Sequence, residues 1–112
     1  MIKMIGAIGA AMLFSASAPT FAQPAAINDA QIAHIAYTAG QIDVDAGRQA
    51  LDRSGNADVR AFAETMVRDH AAVNEQALAL LQRLHVTPQE NPTSTALTTG
   101  AADAHNRLAP EA

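Results

Sequence analysis

The chain has 112 residues, a formal net charge of −4, no cysteine, no tryptophan and one tyrosine. The absence of cysteine excludes disulfide staples, thiolate catalysis and lipidation of an exported N-terminus. The acidic balance argues against nucleic acid and anionic lipid as partners.

Residues 1–22 read as a secretory signal peptide. Lys3, the only lysine, supplies a basic n-region, and Met4 to Phe14 form the apolar h-region. Small residues at Thr20 and Ala22 place cleavage at Ala22|Gln23. The apolar run is too short to span a bilayer, and nothing after residue 22 is long and apolar enough to do so. The expected home is therefore the periplasm or the exterior, with outer-membrane association open. The mature chain of 90 residues carries six arginines against eleven acids, a net charge of −5 before histidine.

Residues 23–27 form a short leader, followed by a helical hairpin over residues 28–86. Asn28 is placed to cap the first helix, with Gln31 at N3 completing a capping box and Ile27 and Ile32 at the hydrophobic-staple positions. The spacing predicts a helix from Asp29 to Arg53. Its main apolar stripe comprises Ile32, Ile35, Ala36, Ala39, Ile42, Ala46 and Ala50, flanked by Tyr37, Val44 and Leu51. Gly40 and Gly47, a heptad apart, weaken the helix but offer a smooth strip for a neighbour. Ser54-Gly55-Asn56 breaks the chain, with Gly55 suited to a left-handed cap and Asn56 to an N-cap. So short a connection makes the two helices antiparallel.

The second helix should run from Ala57 to about His85. Val59, Phe62, Ala63, Met66, Val67, Val73, Ala77, Leu78, Leu80, Leu81 and Leu84 share one broad sector at 100° per residue. His70 falls inside that sector, with Asn74 a turn further on. Asp43 repeats the anomaly on helix one. Counted from Gly55 at 1.5 Å per residue, Asp43 and His70 lie about 18 and 22 Å from the turn, so the two should meet. Two readings are open. They form a hydrogen-bonded pair, helped by Asn74, that fixes helix register, or they are ligands of a divalent metal, since helical bundles build metal sites from facing carboxylates and histidines. No cofactor is demanded by the sequence. Asp69 reads as a rim group and His34 as a solvated histidine. With no phosphate loop and no nucleophile–base arrangement, the sequence leans away from an enzyme.

Residues 87–95 read as a linker, and residues 96–112 as a weak third helix and tail built on Leu97, Ala101, Ala104 and Leu108. The fold class is thus all-α, a hairpin plus a weak third helix. A hairpin cannot cover both apolar faces. A homodimer, or another helical partner, is expected to bury Phe62, Met66, Val73, Leu81 and Leu84.

The run Phe62-Ala63-Glu64-Thr65-Met66-Val67-Arg68-Asp69-His70, followed by Asn74-Glu75 and Leu81, resembles the second-helix signature F-A-x-x-M-x-x-D-H. That signature belongs to the domain-of-unknown-function 4142 family of exported bacterial proteins. Gly40-Gln41-Ile42-Asp43 is similar to the family's first helix, where a glutamate usually stands at the place of Asp43. The resemblance implies a ferritin-like four-helix fold and a cell-envelope location, without a defined activity. The family's F-D-x-x-Y third-helix motif is not seen here, so an incomplete bundle is expected. Three functional readings follow: a binding or structural role in the envelope, a ferritin-like metal or redox role using Asp43 and His70, or a truncated remnant of a longer family member.

Overall fold

The computed structural model describes residues 25–108. The expected signal peptide and cleavage site lie outside the described residues, as does the end of the tail. Three helices account for the fold: α1 (Asp29–Arg53), α2 (Ala57–Arg83) and α3 (Pro92–Arg107). No strand occurs among the described residues.

α1 starts at the capping box, where Asn28 Oδ1 accepts from Gln31 N–H at 2.8 Å and Gln31 Oε1 accepts from Asn28 N–H at 3.1 Å. Its far end departs from expectation. Among the described residues no glycine adopts positive φ; the cap is Ser54, in extended conformation, with its N–H on Ala50 O. Arg60, from the first turn of α2, donates to the free carbonyls of Leu51 and Ser54. A cation on the carbonyl end of a helix is favoured by both hydrogen bonding and the helix dipole. Asn56 caps α2 through Asp58 and Val59 N–H. The left-handed residue is instead His85, φ 54°. Its N–H reaches Gln82 O, and Val86 N–H reaches Leu81 O, so α2 ends in a Schellman turn.

α1 and α2 pack antiparallel along the glycine strip. A Cβ on Gly47 would stand 2.8 Å from Val67 Cγ2 and 3.1 Å from Ala63 O, so only glycine allows this approach. Val44 and Ala63, each 2% exposed, form the buried apolar core. The line that α1 turns toward α2 is therefore Gly40, Val44 and Gly47. It is not the expected main stripe of Ile32, Ile35, Ala36, Ala39, Ile42, Ala46 and Ala50, none of which is fully buried and of which Ile32, Ala36 and Ala46 stay exposed.

The segment between α2 and α3 is docked rather than free. Gln89 N–H donates to Ala30 O at 2.9 Å. Asn91 is buried, its Nδ2 donating to Gln31 O and Gln89 O and its Oδ1 accepting from Thr93 and Ser94 N–H. Asn91 with Pro92 at the first helical turn and Ser94 at N3 makes a second capping box, so α3 begins ahead of residue 96. At its other end Gln49 Nε2 donates to His105 O at 3.0 Å. These contacts run α3 parallel to α1, on the flank away from α2, and α3 packs against α1 alone. The result is a layer with α1 in the middle.

Candidate functional site

Asp43 and His70 do meet. Their helix positions face the same side of the α1–α2 seam, and His70 Nδ1 lies 3.4 Å from Asp43 Oδ2. That is longer than the 2.7–2.9 Å of a charge-assisted N–H···O bond, so the two are neighbours rather than a tight hydrogen-bonded pair. The His70 side chain is 36% exposed and that of Asp43 43%. His70 is therefore not an imidazole sealed in a core, as its place in the apolar sector suggested. It stands at an open rim, where an ion pair contributes little by itself.

Asn74 has a different partner from the one expected. Its Nδ2 donates to Tyr37 O at 3.3 Å across the seam, and its carboxamide fills the space over Gly40. It is buried and pins α2 to α1 one turn beyond the Asp43–His70 contact. Asp69 is at the rim as expected and forms a 2.8 Å bond with Arg68 Nε. That hydrogen bond, aided by the attraction between the charges, raises the Arg68 guanidinium above its ordinary value.

The apolar residues expected to be covered by a partner are open in the single chain. Phe62 is 67% exposed, Val73 61% and Leu84 60%, while Met66 and Leu81 are half-buried. Phe62, Met66, Val73 and Leu84 form with Val59 and Leu80 a stripe along α2, about a quarter-turn from the line that faces α1, whereas Leu81 lies on that line beneath Ala63. The stripe lies on the same side of the seam as the Asp43–His70 contact and the uncovered stripe of α1. Between α1 and α3 runs a shallow groove of about 420 Å³, lined largely by Ile42, Ala46, Ala101, Ala104 and Leu108, with Gln49 and His105 at its polar edge. Sequence reasoning missed Asn91 and Arg60. Asn-Pro with serine three residues on was the visible signal for Asn91; nothing local marked Arg60.

No helix among the described residues is long and apolar enough to cross a membrane. Among these residues no cluster of three or more histidine, aspartate or glutamate side chains could hold a metal. What the arrangement offers is a pair of donor side chains beside an open apolar stripe.

The geometry defines an all-α protein, a helical hairpin extended by a third helix. The chain matches the family described as Domain of unknown function (DUF4142) over residues 15–111, and it belongs to that family. No curated protein and no solved structure matches it.

Proposed function

We propose that this is an exported cell-envelope protein, periplasmic or associated with the outer membrane. Its helical layer serves a binding or structural role and self-associates through the open face. One observation carries the reading: Val59, Phe62, Val73, Leu80 and Leu84 form a single exposed apolar stripe. Scattered exposed apolar residues are ordinary, but a contiguous stripe marks an interaction surface. Burying one such side chain fully is favourable by about 1.5–3 kcal/mol. Five that are already half-covered, on each of two copies, then contribute on the order of 10 kcal/mol. Association itself costs about 4–15 kcal/mol, so the expected homodimer is reversible.

Sedimentation of the purified protein across micromolar concentrations tests this. A monomer–dimer equilibrium is expected. Phe62→Ser combined with Leu84→Ser should shift it to monomer while leaving helical circular dichroism unchanged, because both positions are open in the single chain. A well-folded monomer at all concentrations would sink the proposal.

The contact between Asp43 and His70 favours a second reading, a metal or redox role of ferritin-like type. Carboxylate and imidazole from facing helices are the donors that bundle proteins use for metals.

A further inference from the structure

We propose that the Asp43–His70 pairs of two copies close one tetrahedral zinc site on the two-fold axis of the dimer. The inference rests on the self-association proposed above and adds a ligand and a regulator to that same face.

The spacing of the donors comes first. Zinc binds imidazole nitrogen at about 2.0–2.1 Å and carboxylate oxygen at about 2.0–2.2 Å. At the tetrahedral angle those bonds put two ligand atoms about 3.4 Å apart, whereas right-angled octahedral neighbours would be about 3.0 Å apart. The observed separation of Nδ1 and Oδ2 is 3.4 Å. It is too long for a strong charge-assisted hydrogen bond, and it matches one edge of a zinc tetrahedron. Both side chains remain partly exposed, so a metal can reach them.

Two donors are half a set. Among the described residues nothing completes it, since no group of three or more candidate ligands exists. The missing half must come from outside the chain, and the register of the open face says where. α2 spans Ala57–Arg83, so His70 stands at its midpoint, and the exposed stripe runs to both sides of it from Val59 to Leu84. In an isologous two-fold contact the residues nearest the axis meet their own mates. The stripe of α2, Val59–Leu84, and that of α1, Ile32–Ala50, flank the seam and are both centred near the Asp43–His70 contact, so a face-to-face pairing of two hairpins that covers both stripes has its axis over the seam, within about one turn of that contact. The register that covers the apolar surface is therefore the one that brings two Asp43–His70 pairs together.

Charge points the same way. Two Asp43 carboxylates drawn to one axis repel each other in an acidic protein. A divalent cation between two carboxylates and two neutral imidazoles gives a neutral cluster. Zinc thus acts as a clamp on a dimer that apolar burial alone holds reversibly.

The test uses untagged purified protein, stripped with EDTA, then titrated with zinc chloride under sedimentation and calorimetry. One zinc per two chains is expected. Free zinc at a hundred times its dissociation constant should tighten the dimer about 100-fold. Cobalt(II) in its place should give the intense visible absorption of a four-coordinate site. His70→Gln and Asp43→Asn should each keep the zinc-free dimer and lose the zinc response. Zinc bound to monomer, a response that survives either substitution, or a six-coordinate cobalt spectrum overturns the inference. A dimer indifferent to zinc overturns it too, yet leaves the open-face reading standing. Absence of association with or without zinc removes both.

Discussion

Two glycines a heptad apart set how closely α1 and α2 approach, and they do so against different neighbours. Gly47 lies against Val67 and the Ala63 carbonyl, whereas Gly40 lies beneath the Asn74 carboxamide. Backbone cannot give way easily, but a side chain can. Gly40→Ala would drive its Cβ into Asn74 Oδ1, dislodging the bond to Tyr37 O and leaving a buried amide without a partner. A loss of about 1–3 kcal/mol in urea denaturation is expected. Adding Asn74→Ala should recover most of it, because the space is freed and alanine gains about 1 kcal/mol over glycine in a helix interior. Strict additivity of the two changes would show that this contact does not set the spacing. Both glycines were legible as a smooth strip from their spacing alone. Which side chain each would meet was not, because that depends on the rotation of α2 about its own axis.

α3 depends on its first turn more than on its apolar content. Leu97 and Leu108 remain exposed, and the helix contacts α1 alone. Asn91 does two tasks there: it caps α3, and its amide donates to Gln31 O in the first turn of α1. Asn91→Ala removes both and should cost about 2–3 kcal/mol, the sum of a cap and a buried hydrogen bond. Asn91→Asp keeps the acceptor and loses the donor, so it should recover about 1 kcal/mol of that loss. Hydrogen exchange of the α3 amides reads the difference, with protection falling furthest in the alanine variant. Equal protection in wild type and both variants would show that Asn91 does not hold α3. The stretch from Thr87 to Thr95 looked like a linker by composition because proline, asparagine, serine and threonine serve loops and caps alike. Only contact with α1 distinguishes the two uses.

For the whole molecule, the open side of the layer is the property that matters. The stripe on α2 and the alanine-rich stripe on α1 lie on one side of their seam, and Asp43 and His70 stand between them. Under the proposed export, such a face needs cover after translocation. The export reading itself predicts that protein recovered from the periplasmic fraction begins near Gln23, by mass spectrometry of the intact chain. Recovery of the h-region in the mature protein would contradict it.

The Asn28 capping box, the short Ser54-Gly55-Asn56 connection and the Phe62–His70 motif suffice, from sequence alone, to specify two antiparallel helices, their starting points and their family. Arithmetic of helical rise was enough to bring Asp43 level with His70, because rise per residue is nearly constant and the turn is short. Burial was decided elsewhere. The sequence shows that α2 has a broad apolar sector but not which edge of it meets α1. The narrow glycine strip settles that by seating Ala63, Val67, Asn74 and the near edge of Met66, which leaves Phe62, Val73 and Leu84 in water. Close packing selects one line of contact from a wide hydrophobic arc. Periodicity records the width of the arc, while the shape of the neighbouring helix chooses the line.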